Sequence, residues 1–394
     1  MKISIIQPTR NNLKYLKWSY DAIRKNQDDH TVEICVADDF SNDGTWEWCQ
    51  EMSRNDIHFR AIRNDGPSRL GHTILYDRLV NEVASHDICM LYHADMYLCP
   101  GALDEIEKNI SHKKIVSLTR IEPPLHPPGS EKILLDCGTE PEHFDESTLL
   151  LKVEELSLMQ ALPTDGIFAP WAFMKSDFQE IGGHDPLYAP QSKEDSDIFN
   201  RFQLNGVKFI QTWRGFVYHM TCRGSRFNPT LTTPGQNSPE WEAQNQRSTR
   251  NFIRKWGHFV KHDQYLKPII PPKYNIGFII HNCTDPLLNV LEPWCSNVYI
   301  SISADQYIAN EQPNTKFNLK DRIRPYMFND NDKPNDILVS IDGTRFTSED
   351  FYVIQELSSI IQQTNELGKF ELGNLRIEIN SLNTYEHTLI KAKS

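Results

Sequence analysis

Three clusters of polar residues contain the side chains of this sequence with the clearest capacity for chemistry. They are residues 8–12 (PTRNN), 38–45 (DDFSNDGT) and 93–95 (HAD), and each follows a short apolar run. Carboxylate and imidazole groups can coordinate a metal ion or accept hydrogen bonds from a ligand. Asp, Asn and Gly also favour ordinary turns, so each cluster alone has a structural explanation. All three together indicate a ligand-binding site.

The segments around these clusters predict strands that alternate with helices. Four apolar runs have the length of strands: residues 2–7, 32–37, 58–63 and 88–92. After the first run, Leu13, Leu16 and Ile23 follow the spacing of one helical face. Such alternation is typical of a mostly parallel sheet. The polar clusters follow the first, second and fourth strands, at carboxyl ends that form the ligand-binding edge of such a sheet.

Composition and charge exclude several classes of protein. Of the 394 residues, 39% are hydrophobic and 24% are charged, as in ordinary globular proteins. No apolar run approaches the roughly 18 residues of a membrane span, and the first is too short for a signal peptide. The net charge of −12 argues against sequence-independent nucleic-acid binding, which needs a dense positive face. We expect a soluble, cytoplasmic protein without a transmembrane segment; peripheral membrane association stays open.

The eight cysteines form no CxxC pair and no compact cluster. Several lie in apolar runs, where a thiol behaves as a small hydrophobic group. We therefore predict reduced structural cysteines rather than a disulfide framework or a zinc site.

The second part of the chain gives fewer functional signals. We predict a lid or linker segment at residues 227–270. Within it, residues 227–246 are polar, and we predict that they form either a lid over a ligand or a solvated loop. Residues 271–394 predict a smaller α/β accessory domain without a nucleophile motif. There, Thr347 and Asp350 have the spacing of a capping box for a helix at 348–367, and Gly368 is its predicted stop. We expect this domain to act in homo-oligomerisation or acceptor handling.

Four segments, in this order, are similar to one known family: residues 3–11 (ISIIQPTRN), 33–45 (EICVADDFSNDGT), 88–103 (from ICMLYHAD to PGAL), and 181–185 (IGGHD) with 194–201 (EDSDIFNR). They resemble the opening strand and turn, the Val-Asp-Asp-Gly-Ser segment, the DxD region, and the Gly-Gly-Phe-Asp and Glu-Asp regions of family 2 glycosyltransferases. The resemblance implies a GT-A catalytic domain at residues 1–226, with a Rossmann-like, mostly parallel central sheet.

This resemblance also implies a nucleotide-sugar donor. In the family, the turn after strand one and the second Asp after strand two hold the base, and Thr9 and Asp39 occupy those positions here. A carboxylate can accept the imide N–H of a pyrimidine, which favours a UDP-sugar. The implied donor-binding residues are Pro8, Thr9, Arg10, Asp38, Asp39, His93, Arg223 and Arg226. Helix capping and turn formation remain alternatives for the two aspartates.

A divalent cation, Mn²⁺ or Mg²⁺, is implied by the same resemblance. Such hard cations neutralise the donor diphosphate and act as Lewis acids. The DxD motif reads His93-Ala94-Asp95 here, which leaves Asp95 as the expected metal ligand. His93 is expected to contact the ribose, a phosphate or the metal. The alternative is that this substitution in the DxD motif indicates weak or absent metal binding. His219 is a further candidate ligand, with a structural role as the alternative.

The family places its general base at the Asp of the Glu-Asp pair, which is Asp195 here, with Glu194 as its support. A positioned carboxylate can take the proton of an attacking sugar hydroxyl. Acidic residues at a helix start also stabilise the helix dipole, which is the structural alternative. Three aromatic residues are candidates for stacking on an acceptor sugar, with core packing as their alternative: Trp171, Tyr188 and Trp213.

We therefore expect an inverting glycosyltransferase that acts on a glycan, lipid-linked or protein acceptor. Three departures from the family pattern indicate a divergent member. They are Arg10 in place of Tyr, Tyr76-Asp77 in place of Arg-Asn, and His93 in place of the first acid of the DxD motif. A catalytically degenerate scaffold that binds sugar nucleotide or glycan is the alternative. A nucleotidyltransferase is less favoured, because its glycine-rich signature near the first strand is absent.

Overall fold

The computed structural model describes residues 1–222, 237–326 and 335–392. These residues divide into two compact units. The first unit comprises residues 1–244 and 262–268 with the last residues of the chain, and the second comprises residues 245–261 and 269–390. The functional boundaries at residues 226 and 270 remain predictions.

The first unit is built on a nine-stranded sheet. Its strands are β1 (Lys2–Thr9), β2 (Thr31–Asp39), β3 (Phe59–Asn64), β4 (Ile88–Leu91), β5 (Met96–Leu98), β6 (Lys114–Glu122), β7 (Lys132–Leu134), β8 (Trp171–Met174) and β9 (Lys208–His219). Its helices are α1 (Leu13–Lys25), α2 (Thr45–Asn55), α3 (Gly71–Arg78), α4 (Ala102–Asn109), α5 (Glu146–Ser157), α6 (Lys175–Glu180) and α7 (Glu194–Leu204). A further helix, α8 (Pro239–Trp256), runs from the first unit into the second.

The sheet order is β3-β2-β1-β4-β8-β6-β9-β5, with β7 paired to β6. Strands β1 to β4 pair in parallel, and β1 and β2 are buried almost continuously, as expected where helices cover both faces of a sheet. Strand β8 is antiparallel to β4 and β6, and β5 is antiparallel to β9. The predicted α/β class with a mostly parallel sheet is therefore confirmed.

The register of these strands brings the predicted clusters together. Thr9, at the end of β1, lies opposite Asp38 at the end of β2, while β4 on the other side of β1 ends just before His93. Met96 of β5 pairs with His219 at the end of β9, which places His219 beside Asp95. Strand ends that are far apart in sequence thus meet at one edge of the sheet.

The second unit contains a six-stranded sheet of order β12-β11-β10-β13-β15-β14. Its strands are β10 (Ile276–His281), β11 (Asn297–Ile300), β12 (Ile323–Pro325), β13 (Ile337–Asp342), β14 (Gly368–Leu372) and β15 (Leu375–Ile379), and its helices are α9 (Asp285–Leu291), α10 (Asp305–Glu311), α11 (Leu319–Arg322) and α12 (Ser348–Thr364). Its core contains Phe278, Leu288 and Val298. The smaller C-terminal α/β unit is thus also confirmed.

Two local predictions require comment. The capping box at the start of α12 is present, since Thr347 and Asp350 bond each other's backbone N–H groups. The predicted helix stop at Gly368 is wrong, because α12 ends at Thr364 and Asn365 takes the left-handed conformation (φ 49°) at its cap. Asparagine tolerates that conformation, so the glycine is free to begin β14 instead.

The segment predicted as a lid or linker is partly helical. Helix α8 occupies Pro239–Trp256, in the middle of residues 227–270. The polar residues 227–236 lie outside the described residues, so the lid remains a prediction. All eight cysteines are buried, and no disulfide joins any of them in the described structure, in agreement with the prediction of structural thiols. Within the described residues, no helix has the length and apolar character needed to cross a membrane.

Candidate active site

A cavity of about 430 Å³ opens at the carboxyl edge of the first sheet. The ends of β1, β2, β4, β6 and β9 all contribute residues to its wall, and α3 contributes Tyr76 and His72. The cavity therefore lies where a doubly wound α/β sheet binds its ligands. Five of the predicted donor-binding residues line it: Pro8, Thr9, Arg10, Asp39 and His93.

The end of β1 supplies polar atoms without a partner. Thr9 is 4% exposed, and its Oγ1 makes no hydrogen bond within the described part of the chain. The buried Nε of Arg10 likewise has no acceptor among these residues. Buried donors and acceptors are normally paired, so these atoms are available to a ligand that fills the cavity.

Asp39 and Asp38 have different roles at the end of β2. Asp39 lines the cavity, and its carboxylate accepts hydrogen bonds from Asn64 (2.7 Å) and from the backbone N–H groups of Leu70 (3.0 Å) and Gly71 (2.9 Å). It therefore fixes the loop before α3 at the wall of the cavity. Asp38 does not line the cavity; it is fully buried, accepts from the Ser41 N–H (3.2 Å) and lies 3.3 Å from Arg63 Nε. We infer that Asp38 supports the turn.

His93, Asp95 and His219 form a potential metal centre on the cavity wall. One ligand atom of each residue lies within 4.8 Å of the ligand atoms of the other two. Nε2 of His219 is 3.4 Å from Oδ1 of Asp95, and the two imidazole rings are 5.4 Å apart between centroids. Two imidazoles and one carboxylate are a donor set that Mn²⁺ accepts.

Glu122, at the end of β6, orients this centre and is absent from the residues predicted from sequence. Its Oε1 lies 2.8 Å from Nδ1 of His219, which directs Nε2 of that ring towards Asp95. Arg120 (3.3 Å) and Lys132 (3.2 Å) flank the same carboxylate. Carboxylate partners of this kind fix the orientation of metal-binding histidines.

Electrostatics favour a cation among these groups. Burial and the neighbouring His219 lower the pKa of His93 to about 3, which keeps its ring neutral. Burial alone would lower the pKa of His219, but Asp95 and Glu122 together raise it to about 9. Burial raises the pKa of Asp95, yet His219 outweighs it and holds that pKa below its usual range. A positive charge at Nε2 of His219 is thus stabilised here, and a metal ion would supply it in place of the proton.

Glu194 and Asp195 lie in the first turn of α7 and do not line this cavity. Glu194 is 8% exposed, and burial followed by the charge of Asp195 raises its pKa. Asp195 is the solvent-exposed member of the pair. Tyr76, which lines the cavity, interacts electrostatically with Asp95 and with both members of this pair.

Comparison with models of protein families gives a match to the first part of the chain. Residues 4–135 match the model of "Glycosyl transferase family 2". This part of the chain is therefore similar to family 2 glycosyltransferases. The matched segment includes Thr9, Asp39, Asp95 and Glu122, whereas His219 and the Glu194–Asp195 pair lie beyond it. A search of curated proteins found no match.

Three solved structures illustrate the proteins to which this chain is similar. GalNAc-T7 with UDP, GalNAc and Mn²⁺ is 13% identical over 65% of this chain and 48% of its own, with a TM-score of 0.47. Mannosyltransferase PcManGT from Pyrobaculum calidifontis with GDP-Man and Mn²⁺ is 17% identical over 68% and 67% (TM-score 0.42). S. aureus TarS 1–349 with UDP-GlcNAc is 13% identical over 80% and 78% (TM-score 0.41). This chain thus spans about half the length of GalNAc-T7.

The aromatic residues proposed for acceptor stacking are corrected in part. Trp171 and Tyr188 are each 0% exposed, so neither ring can stack on a sugar in this structure. Trp171 instead packs against Phe173 and Phe199, which is the core role left open by the sequence. Trp213 is half-buried, donates to Thr164 Oγ1 at 3.0 Å, and does not line the cavity described above.

The sequence analysis missed several residues that line the cavity. Two residues that it predicted lie outside the part of the chain that the structure describes. Arg69, His72, Arg120, His126, Lys132 and Cys222 all line the cavity. Arg120 and Lys132 lie opposite each other in the β6–β7 register, a pairing for which no sequence motif exists. Arg223 and Arg226, proposed for the diphosphate, lie outside the described residues.

Proposed function

We propose that the chain is an inverting glycosyltransferase that moves a sugar from a UDP-sugar donor to a hydroxyl acceptor by metal-assisted direct displacement. One observation carries this proposal. A single cavity combines Thr9 Oγ1 and Arg10 Nε, which lack hydrogen-bond partners among the described residues, with the His93, Asp95 and His219 centre. The acceptor hydroxyl would belong to a glycan, a lipid-linked sugar or a protein.

The residues at the centre fit a divalent cation. Asp95 and the Nε2 atom of His219 are the ligands we propose, with His93 as the third, and Glu122 orients His219. When bound, Mn²⁺ or Mg²⁺ would supply Lewis-acid stabilisation of the departing nucleotide diphosphate. The combination of two nitrogen donors and one carboxylate favours Mn²⁺ over Mg²⁺, because Mg²⁺ prefers oxygen ligands.

The donor nucleotide would lie along the ends of β1 and β2. Thr9 Oγ1 and Arg10 Nε can each form a hydrogen bond with it, and the edge of Asp39 can accept the imide N–H of uracil. Arg69, Arg120 and Lys132 place further positive charge on the cavity wall. Such charge stabilises the diphosphate before and after its bond to the sugar breaks.

Asp195 is the group we propose to receive the acceptor proton. The acceptor oxygen forms its bond to the anomeric carbon, the proton passes to the Asp195 carboxylate, and the electron pair of the breaking bond leaves with the nucleotide diphosphate. We propose that Glu194, the preceding residue in the first turn of α7, supports this carboxylate from a buried position. Its Oε2 has no hydrogen-bond partner among the residues described.

The Asp195→Asn variant tests this assignment. We expect transfer, followed as UDP release from UDP-sugars with Mn²⁺ and a panel of acceptors, to fall by at least about 100-fold, because general base catalysis contributes about that much or more. The Kd for UDP should stay within about twofold. Asp165→Asn, which alters a surface ion pair with Lys267, is the matched control and should behave as the wild type. Equal loss of transfer and of UDP binding in Asp195→Asn would contradict the role.

A catalytically degenerate scaffold is the second candidate. It is favoured by His93 in place of the first acid of the DxD motif and by the three hydrogen bonds that already occupy the Asp39 carboxylate. UDP binding by the wild type without release of UDP from any sugar donor would support the scaffold over the enzyme.

A further inference from the structure

The outermost strand of the second unit presents an open edge. Strand β14 is last in the order of the six-stranded sheet, and among the described residues it pairs only with β15. Its burial pattern is exposed at Gly368, Lys369 and Glu371 and half-buried at Phe370 and Leu372. The outer N–H and C=O groups of such a strand are a template for another strand, so the edge needs either protection or a partner.

The turn between β14 and β15 determines which backbone groups face outward. Gly373 and Asn374 join the two strands, and Gly373 has a positive φ of 59°, as is typical of the first residue of a type II′ turn. In a two-residue hairpin the closing pair, which here includes Leu372, is hydrogen-bonded, and hydrogen-bonded pairs then alternate along the strand. The N–H and C=O groups of Lys369 and Glu371 therefore point away from β15.

Helix α12 and the core hold this edge in place. The backbone N–H and the side-chain amide of Asn374 both donate to Asp350 in the first turn of α12, at 2.9 and 3.0 Å. A Cβ on Gly373 would lie 2.5 Å from Oδ1 of Asp350, so the turn comes as close to the helix as only glycine allows. Phe370 and Leu372 pack against the core of the second unit. The strand is thus already ordered before it meets a partner, which lowers the entropic cost of association.

The charges along this edge are complementary to those of a second copy. When two copies pair antiparallel with Phe370 at the centre, Lys369 of each copy lies opposite Glu371 of the other. The outward backbone groups of these two residues then form hydrogen-bonded pairs. A register centred on Lys369 or on Glu371 would instead place like charges opposite each other, which is unfavourable. The edge therefore favours one register of self-association.

The two faces of the strand fit the same register. Lys369 Nζ lies 3.8 Å from Glu378 and Arg376 Nε lies 3.3 Å from Glu371, so both charges of the edge are on the outer face of the β14–β15 hairpin. Phe370 is on the opposite face and would meet Phe370 of the second copy, as an aromatic pair at the centre of the contact. A lone lysine keeps sheet edges apart, but a lysine followed two residues later by a glutamate attracts a second copy.

We propose that β14 is a homodimerisation strand that joins the six-stranded sheets of two copies of this chain into one continuous sheet. The occupant of the edge is a second copy, because the order of lysine and glutamate is complementary to itself. A contact confined to five residues is at the low end of protein interfaces, below about 1,200 Å². We therefore expect a weak, concentration-dependent dimer. This inference is independent of the proposed sugar transfer.

Charge reversal tests the proposed register. Sedimentation equilibrium of the full chain at up to about 200 µM should show monomers and dimers, since weak complexes become populated there. Lys369→Glu and Glu371→Lys each place like charges opposite one another twice, so each should raise the dissociation constant at least about tenfold. An equimolar mixture of these two variants restores both opposite-charge pairs and should form a heterodimer with wild-type affinity. The control is Lys316→Glu, which reverses an exposed charge outside the sheet and should leave the dimer unchanged.

Three results would overturn the inference. They are a wild type that stays monomeric at the highest concentration, a dimer that both charge reversals leave unchanged, and a mixture that stays monomeric although circular dichroism shows both variants to be folded. Amide hydrogen exchange of the wild type needs no variant. The Lys369 and Glu371 amides should exchange more slowly as concentration rises. Slow exchange in the diluted monomer would instead show that a segment of the same chain covers the edge, which would also overturn the proposal.

Discussion

At the scale of single residues, the site depends on groups that hold other groups in place. Glu122 fixes one histidine of the proposed metal centre, and Asp77 fixes the buried His184. In both cases a carboxylate selects the orientation of an imidazole ring. The chemistry proposed for Asp95 therefore requires a partner, Glu122, that no short motif reveals.

Glu122→Gln should weaken metal binding. Glutamine preserves the volume but lacks the charge that holds His219, and loss of such a partner typically costs about 10- to 100-fold in metal affinity. Titration of Mn²⁺ followed by electron paramagnetic resonance measures this directly. Glu105→Gln is the control, because Glu105 is also buried but pairs with Lys108 and Thr212 away from the centre. Equal Mn²⁺ affinity in the wild type and Glu122→Gln would contradict this role.

The sequence predicted part of the site for a physical reason. Thr9, Asp39 and Asp95 directly follow apolar strands, so strand order alone brings them to one edge. Glu122 could not be found in this way, because its partner lies 97 residues away and meets it only through tertiary packing. Trp171 shows the opposite error, since its ring chemistry suggests stacking while its place in β8 buries it completely.

At the scale of elements, a buried carboxylate joins the amino-terminal ends of three parallel segments. Glu33 of β2 accepts hydrogen bonds from Ser4 of β1 (2.7 Å) and from the N–H and hydroxyl of Ser85 before β4. Burial raises the pKa of Glu33, but these bonds and Arg60 outweigh it and hold that pKa below its usual range. The central strands of the sheet are thus coupled through an ionised group.

This coupling predicts a pH effect on stability. Because the pKa of Glu33 is lower in the folded state, its stabilisation is fully present above the unfolded-state pKa and is lost as pH falls through the folded-state pKa. The free energy of unfolding, measured with urea between about pH 7 and pH 3, should therefore fall less steeply in Glu33→Gln than in the wild type. Glu51→Gln, on the exposed face of α2, should follow the wild-type curve. Parallel curves for all three proteins would contradict the prediction.

The capping box of α12 predicts a second effect at this scale. Thr347→Ala removes the side-chain acceptor of the Asp350 N–H and should lower the free energy of unfolding by about 1 kcal/mol. Chemical denaturation followed by circular dichroism measures the change. Thr364→Ala, at the other end of the helix, removes a hydroxyl that only bonds carbonyls within the helix. A loss in Thr347→Ala no larger than that in Thr364→Ala would count against the cap.

At the scale of the whole molecule, overall charge and local charge differ in sign. The chain carries a net charge of −12, yet Arg10, Arg69, Arg120 and Lys132 line the cavity beside three acidic residues. The net charge argues against a nucleic-acid surface, but composition gives no sign of the basic side chains gathered on this cavity wall. The second unit has a complete core of its own, and its function stays a prediction of oligomerisation or acceptor handling.

The most direct test of the account is a calorimetric titration of UDP into the wild type and Asp95→Ala, each with and without Mn²⁺. The account predicts that Mn²⁺ strengthens UDP binding to the wild type by at least about tenfold, or about 1.4 kcal/mol, and that Asp95→Ala abolishes this gain. Equal affinity for UDP in the wild type with and without Mn²⁺ would contradict a shared metal and nucleotide site in this cavity.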